Sequence, residues 1–140
     1  MRFMVMVKAT KNSEAGAKPT PESFAEMDQY NQELAKAGVL QSGEGLQPSS
    51  KGARVTLSGT TRTVTDGPFI ETKELVAGFW LWKCKSLQEA IDWAKRCPNP
   101  MPGEEFNIEI RQVLEAEDFN ADFAPEHREE AERTYKQVSK

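Results

Sequence analysis

The sequence predicts an α+β fold: a ferredoxin-like antiparallel sheet with helices on one face, an inserted hairpin and a C-terminal helical extension. Three observations lead to this class. The strand and helix patterns follow one another as β-α-β, hairpin, β-α-β, which is the order of a split βαβ unit. Two of the strand segments are apolar on both faces, as buried central strands are. With 140 residues, the chain suits a single domain with a hydrophobic core.

The first part of the chain predicts a strand, a loop and a helix. In residues 2–8, Phe and Val alternate with Met, so that both faces of the strand are apolar. Residues 10–19 are polar and predict a loop. Thr20 caps a helix that has Pro21 at its first position, and Gly38 suits its C-terminal end. The buried stripe of this helix is expected at Phe24, Met27, Tyr30, Leu34 and Ala37.

The middle of the chain is rich in strand signals. A short strand begins at residues 39–40 and runs into a loop rich in Gly, Pro and Ser. Residues 53–58 and 62–65 flank a Gly-Thr-Thr turn and are expected to form a hairpin. Residues 75–82 are the most apolar run of the sequence. That run is too apolar for a strand with one solvated face, so it predicts a central strand.

The last part of the chain predicts a helix, a strand and an extension. Ser86, with a glutamate three residues later, gives a capping-box pattern for a helix that stops before Pro98. Its inward residues are expected to be Leu87, Ala90, Ile91 and Ala94. Residues 105–115 alternate as a strand does. We therefore divide the chain into a domain of residues 1–115 and a charged helical extension of residues 116–140.

The second face of the sheet needs a cover. Two helices can cover only one face, yet the strands at residues 3–7 and 75–82 are apolar on both. No other long apolar segment of the sequence is free for this purpose. We therefore expect a C₂ homodimer in which the sheet faces of two copies pack together.

Composition excludes several classes of function. The formal net charge is -4, and no cluster of Lys and Arg offers a nucleic-acid surface. No apolar run approaches the roughly 20 residues that span a membrane, and the N-terminal apolar stretch is shorter than the core of a signal peptide. Two cysteines do not make a disulfide framework. A cytoplasmic protein that binds neither nucleic acid nor membranes is therefore expected.

Residues 66–74, Asp-Gly-Pro-Phe-Ile-Glu-Thr-Lys-Glu, carry the strongest site signal. Gly followed by Pro marks a bend, and the bend would hold Asp66 at the mouth of the sheet. There Asp66 could act as a general acid or base, provided that burial or a neighbouring carboxylate raised its pKa. The alternative is that Asp66 caps its own turn through a hydrogen bond from the backbone.

The rest of this motif offers ligand-binding candidates. Glu71, Lys73 and Glu74 could form a polar rim of a site or tune Asp66, and Thr72 could donate its hydroxyl to a ligand. Solvated charges with weak surface pairing are the alternative for the ionisable residues. For Thr72, the alternative is an ordinary β-branched residue in a strand.

The tryptophans of the apolar run are a further candidate pair. Trp80 and Trp82 lie on one face of the predicted strand and could wall a pocket for a flat ligand. The alternative is that both are core or interface aromatics.

The sequence contains no signal for a metal, an organic cofactor or a nucleophile. Cys84 and Cys97 lack a nearby histidine or a CxxC spacing and are expected to be inert. His127 is the only histidine and is expected to be solvated in the C-terminal extension. No metal-ligand cluster or phosphate-binding glycine loop is present, so no cofactor is expected.

The motif of residues 66–74, followed by Gly78 and Phe79, resembles the signature of the DGPF-type proteins within the YCII-related family. The resemblance covers about residues 1–115. It implies a ferredoxin-like fold that forms a dimeric α/β barrel with an active-site cleft. Shorter members of the family pair a first-helix histidine with an aspartate, but residues 21–37 contain no histidine. On that helix Tyr30 and Glu33 are alternative candidates for contacting a ligand.

Together, these observations lead to the hypothesis of a homodimer that binds a small organic molecule in a cleft between the sheet and the first helix. The chemistry would be metal-free proton transfer, as in an isomerase or lyase, with Asp66 moving the proton. A polar aromatic or lactone-like substrate is implied by analogy with related dimeric α/β barrels. The alternative is a non-catalytic dimer that senses a metabolite or regulates a partner. A third reading makes the motif a purely structural bend.

Overall fold

The structure is a computed structural model that describes residues 1–118 and 125–138. The strands are β1 (Arg2–Lys8), β2 (Leu40–Gly45), β3 (Ala53–Ser58), β4 (Thr61–Asp66), β5 (Val76–Lys83) and β6 (Ile108–Gln112). The helices are α1 (Lys11–Glu14), α2 (Pro21–Lys36), α3 (Leu87–Lys95) and α4 (Pro125–Val138). Short 3-10 turns lie at Ser49–Lys51, Thr72–Glu74 and Ala116–Asp118.

Four strands form one antiparallel sheet in the order β2-β5-β1-β6. Since β3 and β4 pair only with each other, the strands of the main sheet follow the ferredoxin-like arrangement, with the first and third of the four in the centre. In the register, Val5 lies opposite Trp80 on one side and Ile110 on the other. The predicted α+β class with an antiparallel sheet is confirmed.

The two long helices of the core start where their capping residues predict. The Thr20 side chain accepts a hydrogen bond from the backbone N–H of Ser23 at 3.1 Å, and Pro21 is the first residue of α2. Gly38 follows the end of α2 with a φ of 75°, which glycine adopts without strain. The Ser86 side chain accepts from the N–H of Glu89 at 3.1 Å and caps α3 in the same way.

The hydrophobic core lies between one face of the sheet and the helices α2 and α3. Phe3 and Val5 of β1 and Trp82 of β5 are almost fully buried, and Leu34 contributes from α2. On α2 the buried residues are at positions 23, 30 and 34, and the residue at position 27 packs against the core; these positions follow the helical spacing of three and four residues. This stripe fixes α2 on the sheet.

Ala37, expected in the buried stripe of α2, is exposed because it lies at the C-terminal end of the helix. Two further residues expected in the core are also on the surface. Phe24 is 53% exposed because the buried stripe of α2 runs through position 23, about 100° away around the helix. Leu87 is 49% exposed; it is the first residue of α3, and the fully buried residue of this helix is Ala90. Both predictions were wrong because hydrophobicity alone did not set the phase of the helix.

Element boundaries also differ from the sequence-based expectation. The polar segment 10–19 contains the one-turn helix α1, because Thr10 and Ser13 form a capping box. Thr72, for which a position in a strand was one alternative, lies in the 3-10 turn Thr72–Glu74 before β5. The last strand begins at Ile108, since residues 99–107 form a longer loop than predicted.

The face of the sheet that points away from α2 and α3 is apolar and is not covered by these helices. The face opposite the helices presents Met4, which is 38% exposed, with partly exposed Met6, Phe79 and Leu81.

The C-terminal segment forms α4 within the described residues, and the division at residue 115 stays a prediction. The side chain of His127 lies outside the residues that the structure describes. Among those residues, no helix combines the length and apolar character needed to cross a membrane.

Candidate functional site

A cavity of about 900 Å³ lies where β1 and β2 end and β5 begins, between the sheet and α2. Its walls come from the sheet, from α2, and from the loops of residues 10–19, 46–51 and 99–106. The apolar part of the lining includes Met27, Trp80, Met101 and Phe106. Ligand-binding sites of small molecules are typically concave and largely apolar with a few polar groups, and this cavity has that form.

Trp80 is held in place at the sheet side of the cavity. It is only 7% exposed, and its Nε1–H donates a hydrogen bond to Asn31 Oδ1 at 2.9 Å. A Cβ atom at Gly43 would lie 2.6 Å from Cδ1 of the indole, so the indole uses the space that the glycine leaves. The ring of Tyr30 meets it edge-on at 5.9 Å between centroids. The indole is therefore fixed in orientation before any ligand binds.

The charged lining of the cavity is mainly positive. Lys8, Lys18 and Lys51 line it, against Glu14 and Glu44. The Lys8 Nζ lies 3.5 Å from a carboxylate oxygen of Glu109, outside the lining, and 3.3 Å from a backbone carbonyl oxygen. No partner for the other two ammonium groups is found among the described residues. A positive lining in a chain of net charge -4 is a local feature that attracts anions.

Ser49 joins the cavity to the motif of residues 66–74. Its backbone N–H donates to Glu14 Oε1 at 2.9 Å, and its hydroxyl donates to the other carboxylate oxygen. The same hydroxyl oxygen accepts a hydrogen bond from the backbone N–H of Phe69 at 3.0 Å. Glu14, which lines the cavity, is therefore linked through one serine to the backbone of the motif.

The motif backs the wall of the cavity through its glycine. The backbone N–H of Gly67 donates to the carbonyl oxygen of Gly52 at 3.0 Å. A Cβ atom at Gly67 would lie 1.7 Å from the carbonyl oxygen of Ser49, so no residue with a side chain fits there as the backbone stands. The Gly67–Pro68 peptide bond is cis. The turn Ser49–Lys51 thus rests directly on the motif.

The structure places the ionisable residues of the motif outside the lining of the cavity. Asp66 is the exposed last residue of β4, opposite Ala53. Glu71 lies 3.8 Å from Nη1 of Arg54, whose guanidinium also stacks on the ring of Phe69 at 3.8 Å. Lys73 and Glu74 are exposed, and the partly buried Thr72 begins the 3-10 turn. The catalytic role of Asp66 and the ligand-binding roles of the other four residues stay predictions.

The two aromatic candidates other than Trp80 are core residues. Trp82 is fully buried, its ring centroid is 5.5 Å from that of Trp80, and its Nε1–H has no hydrogen-bond partner among the described residues. The hydroxyl of Tyr30 donates to the carbonyl oxygen of Trp93 at 2.5 Å. Burial raises the pKa of the Tyr30 phenol well above its ordinary value. Neither side chain lines the cavity, and their proposed ligand roles remain predictions.

The two thiols of the chain are poor nucleophiles. Burial raises the pKa of the Cys97 thiol to about 11, and mainly burial also raises that of Cys84. Both thiols are free, and at neutral pH they are almost entirely protonated. The described part of the chain contains no cluster of three or more His, Cys, Asp or Glu side chains that could hold a metal ion.

Comparison with known proteins identifies the family. The family model of the YCII-related domain matches residues 1–117. The chain belongs to the YCII-related family. An uncharacterised protein of Rhizobium meliloti (strain 1021) is 36% identical over 77 residues, which are 55% of this chain; the chain spans about 62% of that relative's length. The finer assignment to the DGPF-type proteins stays a prediction.

A solved structure also resembles this YCII-related chain. It is 5-chloro-2-hydroxyhydroquinone dehydrochlorinase from Burkholderia phenoliruptrix AC1100, in complex with 2,5-dihydroxybenzoquinone. The comparison covers 86% of this chain and 100% of the other, at 15% identity and a TM-score of 0.43. At that score, the likeness supports no inference about a ligand.

Sequence reasoning missed most of the residues that build the cavity of this YCII-related protein. Asn31, Glu14 and Ser49 were not singled out. The capping-box pattern at Thr10 and Ser13 is a local signal that predicts α1 and hence the position of Glu14. No local signal exists for the contact between Glu14 and Ser49, which are 35 residues apart.

Proposed function

We propose that this YCII-related protein binds a small organic anion with an aromatic body in the cavity between α2 and the sheet. The observation that carries the proposal is the combination of a fixed indole, Trp80, with lysines on the rim of a cavity of about 900 Å³. The volume suits a small molecule, because ligand pockets commonly measure about 300–1,000 Å³.

The charge expected of the ligand follows from the partners that the charged residues of the lining already have. Both carboxylate oxygens of Glu14 accept hydrogen bonds from Ser49, and Lys8 is shared with Glu109. The lining then holds two positive charges, on Lys18 and Lys51, against one remaining negative charge, on Glu44. A carboxylate or phenolate group would bind at this surplus of positive charge, with its ring against the apolar side chains.

For chemistry in the cavity we propose metal-free proton transfer of the isomerase or lyase type. Glu14 is the carboxylate placed to exchange a proton with a bound molecule, since it lines the cavity. Asp66, the residue selected by the motif, is two residues before Pro68 on the segment that backs the cavity wall. A ligand of this cavity that also reached Asp66 would have to extend past the turn Ser49–Lys51.

The second candidate function is binding without turnover, as in a metabolite sensor. One observation favours it: the two hydrogen bonds from Ser49 engage both carboxylate oxygens of Glu14 and tie that carboxylate to its own chain. A sensor would use the same cavity and the same preference for anions. Assays for ligand consumption distinguish the two functions.

The experiment is a thermal-shift titration with a panel of small aromatic carboxylates, each compared with its neutral amide. We expect carboxylates to raise the melting temperature and their amides to have little effect, because only the anion pairs with the lysines. The double variant Lys18→Gln/Lys51→Gln should bind the stabilising carboxylates about tenfold more weakly. Lys36→Gln, an exposed change at the end of α2 and outside the cavity lining, is the matched control.

Three results would contradict the anion site. Equal stabilisation by acids and amides would show that charge plays no part. Equal affinity of the double variant and Lys36→Gln would show that the anions bind elsewhere. A panel in which no acid stabilises the wild type would remove the proposal altogether.

We also propose that the open face of the sheet packs on the same face of a second copy. The support is the apolar surface of Met4, Met6, Phe79 and Leu81, on the face that α2 and α3 leave uncovered. We expect sedimentation velocity to show self-association that Met4→Glu weakens. Phe24→Glu, an equally polar change of an apolar residue that is 53% exposed on α2, should leave the dimer intact. Dissociation by Phe24→Glu alone would place the interface on the helices.

A further inference from the structure

The hairpin of β3 and β4 is a two-stranded sheet with two very different faces. In its antiparallel register, Val55 lies opposite Val64 and Leu57 opposite Arg62, and residues directly opposite share a face. Together with Ala53 and Asp66, these residues form one face, which we call the apolar hairpin face. The other face consists of Arg54, Thr56, Ser58, Thr61, Thr63 and Thr65. The strands thus alternate as strands do when one face is buried.

The apolar hairpin face is nevertheless open to solvent. Val55 is 59% exposed, Leu57 67% and Val64 65%. The described part of the chain provides no further strand beside β3 or β4. A two-stranded hairpin in water is at best marginally stable unless its apolar face is covered. The face therefore has the pattern of a contact surface, and none of the described residues covers it.

The charges at the two ends of this face are opposite. Asp66 lies at the base of the hairpin, opposite Ala53, and Arg62 lies near the tip, opposite Leu57. Four residues along a strand correspond to about 13 Å. Two copies of the face, packed against each other with their strands antiparallel, would bring each Arg62 next to the Asp66 of the other copy. The apolar residues of both copies would lie between the two charge pairs.

We propose that the apolar hairpin face binds the same face of a second copy of this chain through a two-fold axis. The pattern of charges is self-complementary, as an isologous contact requires. Arg62 and Asp66 lie two residues on either side of Val64, at equal distances from the apolar centre of the face. A different partner protein would not require this symmetric arrangement. Asp66 has a role in this contact that does not involve a ligand.

The geometry of Arg62 is compatible with this pairing. Its Nη1 donates to the backbone carbonyl oxygens of Gly59 and Thr61 at 2.9 and 3.0 Å, which holds the guanidinium at the tip. An arginine has five N–H donors in a planar fork, so Nε and Nη2 remain available for a carboxylate. The hairpin is anchored at its base, where Arg54 contacts Phe69 and Glu71. Both charges are thus carried on a hairpin attached to its own domain.

The test is a charge-swap cycle measured by sedimentation velocity over a wide range of concentrations. Asp66→Arg and Arg62→Asp should each weaken self-association by at least about tenfold, because a two-fold axis turns one change into two repulsive pairs. The double variant Asp66→Arg/Arg62→Asp should recover the wild-type association. Thr63→Arg places an arginine on the opposite face of the hairpin and should leave association unchanged. Melting temperatures of all four variants control for folding.

The proposal is overturned if the wild type is monomeric, if both single reversals associate like the wild type, or if the double variant recovers nothing. It is supported only by loss in the single variants and recovery in the double variant. The sheet-face dimer is tested separately. If Met4→Glu weakens self-association and none of the hairpin variants does, the sheet-face contact is supported and the hairpin contact is rejected.

Discussion

Replacing Gly67 with alanine is expected to lower the free energy of unfolding by about 2–3 kcal/mol. The added Cβ would lie 1.7 Å from the carbonyl oxygen of Ser49 and 2.6 Å from its carbonyl carbon. Both are backbone atoms, so no side-chain rotation can relieve the clash. The turn Ser49–Lys51 has to move away from the motif, and the hydrogen bond from Phe69 to the Ser49 hydroxyl would lengthen or break.

Gly52→Ala provides a control on the same contact. A Cβ atom at Gly52 would lie 3.5 Å from the carbonyl oxygen of Ser49, an ordinary van der Waals distance. Its φ of -110° and ψ of -178° suit alanine, and such a change stabilises a protein by about 0.4–1 kcal/mol if it has any effect. Urea unfolding at a fixed protein concentration measures both variants. Equal stability of the two would show that the motif does not support the turn.

The Gly67→Ala variant also separates two roles of the motif. If the turn Ser49–Lys51 shifts, Glu14 loses its hydrogen bonds from Ser49, and Lys51 moves with the wall of the cavity. We therefore expect the variant to lose binding of the aromatic carboxylates as well as stability, at temperatures where it is still folded. Retained binding in a destabilised variant would restrict the motif to a role in the fold.

Replacing Trp82 with alanine is expected to have the largest effect on stability, about 3–5 kcal/mol. Trp82 is fully buried and lies at the centre of the core beside Phe3, Trp80 and Leu34. Its removal leaves a cavity between the sheet and the helices that the neighbouring strands cannot close. The free energy of unfolding from urea titration measures the loss, at constant protein concentration because self-association would add to the stability.

Trp82→Phe should be nearly neutral, within about 1 kcal/mol of the wild type. The smaller ring leaves part of the space empty. However, the substitution also removes an Nε1–H group that is buried without a hydrogen-bond partner among the described residues, and such a group costs about 1–3 kcal/mol. The two effects oppose each other. A loss as large as that of the alanine variant would mean that the indole N–H has a partner in solution.

Local signals predicted much of the fold. Thr20, Pro21 and Gly38 mark the ends of α2 in the sequence and also in the structure, because capping and turn conformations depend on a few neighbouring residues. The alternation of β1 predicted a strand, and β1 lies between β5 and β6 in the sheet. The hairpin turn was also predicted, and Gly59 adopts a φ of 57° there, the sign that tight hairpin turns require.

The phase of α2 and the composition of the cavity could not be predicted in this way. Ser23 is 5% exposed and Phe24 is not buried, because the contact with the sheet, and not hydrophobicity alone, sets the rotation of the helix. The cavity depends on contacts between distant segments, such as Glu14 with Ser49 and Asn31 with Trp80. From the sequence, the charged side chains of the motif were predicted to form the site. In the structure, the motif contacts the wall of the cavity through backbone groups of Gly67 and Phe69.

The contacts around Phe69 connect the cavity to the apolar hairpin face. Ligand binding in the cavity and self-association through the hairpin can therefore be treated as linked equilibria. Arg54, at the base of the hairpin, stacks on the Phe69 ring, and the Phe69 backbone donates to Ser49, which in turn holds Glu14 in the cavity. A ligand that shifts Ser49 therefore acts on the segment that carries the hairpin. By linkage, any factor by which the ligand strengthens self-association is the factor by which self-association strengthens binding of the ligand. Affinities for the two events would then depend on the concentrations of both protein and ligand.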